Sequence, residues 1–269
     1  MNPCLVSVRA KIERSKHHFN ELSDALNVWG AQQADKPILG NLQADGTFSF
    51  PKGDDAPYIQ WSLIVGDIVH NLRSALDHLV LHLALLHGTK LEVAAELTSF
   101  PVALNAPEFR SAIRSFKRCI SLDALAALKS CQPYVAAKLR GLPAESHTLY
   151  VISKLDNTDK HRTLLFLTEA FQVTDATITD ESGFIAKPAI KPNVWIEMKD
   201  RAEIGSLDLS LVDFERKDKM QVDVKASTEI FINEPSLGLG AMRLRVGMRQ
   251  CIELADAIVD QFGKGFFGE

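Results

Sequence analysis

The 269-residue sequence predicts an α+β protein, a helical bundle with a small antiparallel β-layer inserted before the C-terminal helix. Three observations predict it. Apolar residues recur at helical spacing from Leu5 to Leu155. From Leu164 to Ile232 the pattern turns to apolar–polar alternation, the period of a strand. After Ser236 the helical period returns. The expected organisation is a bundle over residues 1–162, a β-layer over 163–235, and a helix over 236–269 that packs back on the bundle.

Each element has its own signal. Leu5, Val8, Ile12, Phe19, Leu22, Leu26 and Trp29 form one face of a first helix. Residues 37–53 are rich in turn formers (Gly40, Asp45-Gly46, Pro51, Gly53) and read as a loop with room for a short hairpin. Asp55 is placed to cap a second helix, with Pro57 in its first turn and Gly88, beside Thr89, at its end. Residues 98–107 read as a loop. Shorter helices are expected after Asn105, after a Ser121 cap, and over about 144–157. Residues 194–198, 207–211 and 220–224 alternate clearly, and 164–171, 176–184 and 227–232 are further strand candidates. The charged run 213–219 reads as a solvated hairpin turn. The last helix would bury Leu244, Met248, Cys251, Ile252, Ala255, Ile258, Val259 and Phe262.

Composition narrows the function classes. A hydrophobic fraction of 46% with 24% charged residues suits a globular protein with a sizeable core. A net charge of -4 gives no overall attraction to nucleic acid, so such binding needs a local basic patch. Cys4, Cys119, Cys131 and Cys251 are widely spaced with no Cys-x-x-Cys, which reads as reduced thiols in a cytoplasmic protein. The first residues lack the apolar core of a signal peptide. The longest apolar run, 79–86, is broken by His82 and far shorter than a membrane span, so no membrane partner is expected. There is no Gly-x-Ser-x-Gly and no phosphate-cradling Gly-Lys-Ser/Thr, and Gly238-Leu-Gly240 lacks a third glycine, so no cofactor is expected.

Two strings concentrate the polar chemistry. Over residues 66–80, Ile68, Val69, Leu72, Ala75, Leu76, Leu79 and Val80 cover one half of a helix, and Asp67, His70, Asn71, Arg73, Ser74, Asp77 and His78 the other. Leu63 and Ile64 before the polar half, and Leu81 and Leu85 after it, predict that core encloses it. Enclosed charges must be paired. The second string is Asp156-Asn-Thr-Asp-Lys-His-Arg162. Read alone, it is a helix C-terminus whose cations suit the negative dipole end. Read with the first, Asp156, Asn157, Asp159, Lys160 and His161 can face the polar half, since Asp67 and Asp77 need cations and Arg73 needs a carboxylate. The strings are therefore expected to meet in space.

Arg73-Ser-Ala-Leu-Asp-His78 is an Arg-x4-His sequence, and on it the chain resembles HEPN (higher eukaryotes and prokaryotes nucleotide-binding) domains. Ser74 stands where that family often has Asn, Asp or His after the Arg. The resemblance implies a metal-independent ribonuclease or nucleotide-acting enzyme. His78 would be general acid or base and Arg73 would stabilise phosphorane charge, with Asn71, Asp77 and Lys160 or His161 assisting. It also implies RNA or nucleotide as partner. On an ideal helix Arg73 and His78 stand about 140° apart, so a homodimer through the helix over residues 55–88 is expected to bring one copy's Arg to the other's His. The two strings, with Gln132-Pro-Tyr134 between them, also resemble a set of bacterial proteins of no established activity. That resemblance spans residues 55–165 and implies a bacterial, cytosolic protein. Two other readings remain open. One is a non-catalytic ligand- or partner-binding protein whose polar network is structural. The other is a metal-dependent hydrolase on His78 and His82, which have the i, i+4 spacing of a chelate, with Asn71, Asp67, Ser74 and the second string nearby. Without metal, His82 is expected to bond Asn71 or a backbone carbonyl.

Overall fold

The computed structural model describes residues 5–34, 38–42, 47–50, 56–97, 99–161, 164–180, 183–186, 189–190, 196–197, 202–206, 221–234, 237 and 240–269. The fold is α+β, and the chain divides into two compact units. One comprises Met1–Ser23, Ile59–Phe166 and Asn233–Glu269, and the other Asp24–Tyr58 and Leu167–Ile232.

The first unit is helical. Its elements are α1 (Val6–Ala34, whose last residues belong to the other unit), α2 (Tyr58–Leu86), α3 (Leu91–Leu97), α4 (Ala106–Ala112), α5 (Leu122–Ser130), α6 (Pro133–Arg140), α7 (Thr148–His161) and α8 (Leu244–Phe262). The apolar half of α2 is its spine, with Val65, Ile68, Val69, Leu72, Ala75, Leu76, Leu79, Val80 and Leu83 all buried. Pro57 precedes the first helical residue of α2 rather than lying in its first turn, and Asp55 lies outside the described residues. At the far end Gly88, at φ +88°, donates to the Leu85 carbonyl at 3.0 Å while Thr89 donates to that of Ala84 at 3.0 Å. This paired closure needs a left-handed residue, which glycine supplies without a Cβ clash. Asn105 caps α4 by accepting from the Glu108 N–H, and Ser121 caps α5 by accepting from that of Ala124, as their positions before apolar runs predict.

α3 and α6 were not read from the sequence. α6 carries the marks of a short helix, with Pro133 in its first turn and Gly141 at φ +68° closing it. Ahead of it, the buried Gln132 amide ties down the segment that follows α3. Its Oε1 accepts from the Ala103 N–H at 3.0 Å, and its Nε2 donates to the carbonyls of Pro101 and Leu128, both at 2.9 Å. The C-terminal helix lies in this unit. Its predicted apolar face is buried, and Lys16 and Arg9 of α1 reach Asp256 and Asp260 of α8 at 2.8 Å each. The bond to Asp256 holds the Lys16 ammonium above its ordinary pKa. Arg9 also bonds Glu269.

The second unit contains strands β1 (Ile38–Leu42), β2 (Thr47–Phe50), β3 (Leu167–Asp180), β4 (Gly183–Ala186), β5 (Ala189–Ile190), β6 (Ile196–Glu197), β7 (Ala202–Ser206) and β8 (Gln221–Ile232). They pair antiparallel in the order β4-β3-β8-β1-β2-β7-β5, with β6 also on β3. Two differences from the sequence reading stand out. First, the separate candidates at 164–171 and 176–184 form one continuous strand over most of their length. β3 pairs with β8 from Leu167↔Ile232 to Thr179↔Gln221, and its register slips between Val173 and Asp175. A bulge adds one residue and shifts the alternation to the other face, so one strand reads as two. Second, the β-layer is not confined to 163–235. The hairpin β1–β2 joins it through Ile38↔Val224, Leu39↔Asp223 and Gly40↔Val222. The turn formers of residues 37–53 allow a hairpin in sequence, but pairing across some 180 residues leaves no local trace. The candidates at 207–211 and 213–219, and Ser236, lie outside the described residues.

Among the described residues no helix is long and apolar enough to cross a membrane. Cys119, Cys131 and Cys251 are free thiols, and burial pushes the Cys251 thiol up to about 12; Cys4 lies outside the described residues.

The Gln132 clip gives a test. Gln132→Leu keeps the volume but orphans the Ala103 N–H and the Pro101 carbonyl, so we expect a loss of at least about 2 kcal/mol. Urea unfolding of both proteins measures it, and an unchanged midpoint would show that the amide is dispensable.

Candidate functional site

The polar half of α2 is less enclosed than the sequence predicts. Leu63, expected to close it off, is 52% exposed, and Asp67 and His70 are exposed. None of Asn71, Arg73, Ser74, Asp77 or His78 is fully buried. Apolar neighbours on one helix face enclose a polar group only when another element covers both. Here the polar residues find partners in three separate places, all within the helical unit.

The first is where the two strings meet, at the start of the polar half. Asp156 of α7 is buried, with 2% of its surface exposed. One of its carboxylate oxygens bonds His70 Nδ1 at 3.3 Å and the other accepts from Lys160 Nζ at 2.7 Å. His70 and Lys160 carry the other ends of these bonds outward, with side chains 52% and 39% exposed. One turn on from Asp156, the Asp159 carboxyl lies against Gly66, where a Cβ would come within 2.6 Å of Oδ1 and 2.9 Å of Cγ. A side chain at position 66 would therefore force the Asp159 carboxyl to shift, so it is the approach of α7 and not its backbone angles that favours glycine there. Burial raises the Asp159 pKa, the charges of Asp156 and Asp67 raise it further, and His70 and Lys160 partly oppose them.

The second place is the segment leading into Pro101. Asp77 accepts the Phe100 N–H at 2.7 Å and pairs with Arg73 at 2.9 Å, while Arg73 donates to the Phe100 carbonyl at 2.8 Å. Two charged side chains one turn apart thus bond both backbone groups of one residue. Asp77 was expected to pair with the second string, but Phe100 takes it. Asn71 donates to the Asp67 carbonyl at 2.8 Å, within α2.

The third place is the first turn of α1. Ser7 Oγ lies 3.4 Å from His78 Nδ1 and 3.3 Å from His82 Nε2, so two imidazoles one turn apart converge on one hydroxyl. Desolvation lowers both histidine pKa values from the ordinary 6.5. The Lys11 charge, one turn beyond Ser7, lowers His78 further and Asp77 partly offsets it, while the His78 charge further lowers His82. His82 thus bonds Ser7 rather than Asn71 or a carbonyl.

The six residues chosen from the sequence therefore do not gather. Arg73 and Asp77 share Phe100, Lys160 joins Asp156 and His70, His78 joins Ser7 and His82, and Asn71 turns back on its own helix. His161 ends α7, and its side chain lies outside those described. Of the residues the metal reading named, Asn71 bonds the Asp67 carbonyl, and no group of three or more His, Cys, Asp or Glu among the described residues could hold a metal ion. Sequence reasoning missed Ser7 and Lys11. Their i, i+4 spacing puts them on one face of α1, but nothing local says that this face meets the end of the polar half.

The string contact is testable through Gly66. Gly66→Ala is expected to displace the Asp159 carboxyl and destabilise, and Asp159→Ala to relieve most of that cost, so the pair should be non-additive. Additive losses in thermal melts would remove the contact. Asp159→Asn should raise stability near pH 7. An acid whose folded pKa is raised costs stability when ionised, so the advantage should fade as pH falls through that raised pKa and be gone below the ordinary carboxylate value of 3.8. No family model, curated relative or solved structure matches this chain.

Proposed function

We propose that this chain is a metal-independent ribonuclease or nucleotide-acting enzyme, HEPN-like in carrying its histidine on a bundle helix, with His78 and His82 as its acid–base pair. The supporting observation is the convergence of both ring nitrogens on Ser7 Oγ beside Lys11. A ribose hydroxyl and the adjacent phosphate placed there meet the groups that transphosphorylation uses. His78 takes the proton of the 2′-hydroxyl, whose oxygen attacks phosphorus. The bond to the 5′-oxygen breaks, and that oxygen takes a proton from His82, leaving a 2′,3′-cyclic phosphate. Lys11 opposes the charge of the phosphorane. The meeting point of the strings suits a phosphate less well, because Asp67 and Asp159 flank it.

In this reading Arg73 is a positioning residue and not the phosphate ligand, because its guanidinium is engaged with Phe100 and Asp77. The site draws on one chain, so it does not need the homodimer expected through residues 55–88. A cytosolic bacterial setting, implied by resemblance, suits an RNA substrate. The Arg73–Asp77–Phe100 closure favours a second reading, a non-catalytic binding protein with a structural polar network.

RNA cleavage in EDTA separates the two. His78→Ala and His82→Ala should each lose roughly 100-fold or more while melting near wild type, since general acid–base groups contribute about 10²–10⁴. Arg73→Ala should chiefly lower the melting temperature. A folded wild type inactive on varied RNAs would give the binding reading the field. The pH profile adds a check. Both histidines titrate below 6.5, so the bell should peak on the acid side of that value. Lys11→Ala removes a charge that lowers His78 and should move the limb reporting His78 to higher pH. An optimum above pH 7 would assign catalysis to other groups.

A further inference from the structure

The same convergence of imidazoles carries a second binding chemistry, which does not depend on the ribonuclease reading. We propose that His78 Nδ1 and His82 Nε2 form a two-histidine chelate for an exchangeable borderline cation, Zn²⁺ being the probe of choice.

The geometry supports this in three ways. The histidines are four residues apart on one rigid helix, the spacing at which imidazoles chelate across a turn. His82 Nε2 lies 3.3 Å and His78 Nδ1 3.4 Å from the Ser7 hydroxyl, so side-chain rotation can bring both nitrogens to the zinc–nitrogen distance of about 2.0–2.1 Å around an ion seated beside that oxygen. The space beside Ser7 Oγ is open, since Ser7 is exposed and both histidines are only half-buried, so water and the Ser7 hydroxyl can complete a tetrahedron. With two imidazoles and no carboxylate, the site suits borderline ions such as zinc or copper rather than magnesium or calcium. With two protein ligands instead of the four of a structural site, the ion should exchange freely and contribute little to folding.

Lys11 makes the test specific. Its positive charge next to His78 repels a bound cation, yet in the proposed enzyme the same charge aids catalysis. The two roles predict opposite effects of one substitution. Zn²⁺ titration calorimetry at pH 7.5 on the full chain should show one saturable site at micromolar concentrations. His78→Gln and His82→Gln, which keep polar side chains of similar size, should each weaken it by roughly tenfold or more. Lys11→Ala should tighten it a few-fold while lowering RNA cleavage measured separately in EDTA. Zn²⁺ should also suppress any cleavage, because a metallated imidazole cannot carry a proton. Absence of saturable binding, or binding unchanged in both glutamine variants, overturns the chelate. Zinc binding by a wild type that cleaves no RNA would leave the chelate standing and remove only the ribonuclease reading.

Discussion

One helix sets the terms for the helical unit. α2 runs 29 residues, roughly 43 Å at the rise of an α-helix, with one half buried over nearly its whole length. Burying that half fixes the direction of the other, so seven polar side chains project toward whatever packs alongside. Charges brought near a core must be bonded or stay wet. The chain meets this constraint in three places: a buried carboxylate from α7, the backbone of Phe100, and the first turn of α1. Each ties a different element to α2, so the polar half orders the unit much as the apolar half does.

The three places differ in what they leave free. At Phe100, Arg73 and Asp77 occupy both backbone groups of one residue, which is a clamp. At the meeting of the strings, Asp156 is consumed by His70 and Lys160, and Asp159 fits against α2 where Gly66 has no side chain. The surroundings there are acidic. At α1, two imidazoles share one hydroxyl, and burial holds both below their ordinary pKa, so they are unprotonated at neutral pH. The unprotonated ring serves as base or metal ligand and the protonated ring as acid, which is why both chemistries are assigned to this one place.

Electrostatics also separates the α1–α8 seam from the site. Arg9 and Lys16 lie two turns apart on α1, and their pairs with Asp260 and Asp256 have partly exposed side chains. Partly solvated pairs contribute little each, so the buried apolar face of α8 holds that helix, and the pairs set its register against α1. Gln132 does comparable work without charge, satisfying three backbone groups at once where a buried loop would otherwise leave them unbonded.

The α+β class, the long helices, the caps at Asn105 and Ser121 and the stop at Gly88 could all be read from sequence because each depends on residues within a turn or two of one another. The kinship of the two polar strings was also legible, since both are rich in the same charged and hydrogen-bonding residue types. Which residues would meet was not. Asp77 goes to Phe100, Asp159 goes to Gly66, and His82 goes to Ser7 some 75 residues away, each decided by how helices dock. The same holds for the β1–β2 hairpin, whose partner strand lies far along the chain, and for β3, whose bulge breaks the alternation that would have marked it as one strand. Local patterning determines which face of an element is polar. Only the packing of apolar faces decides what that polar face then touches, and the candidate chemistry of this protein depends on that second decision.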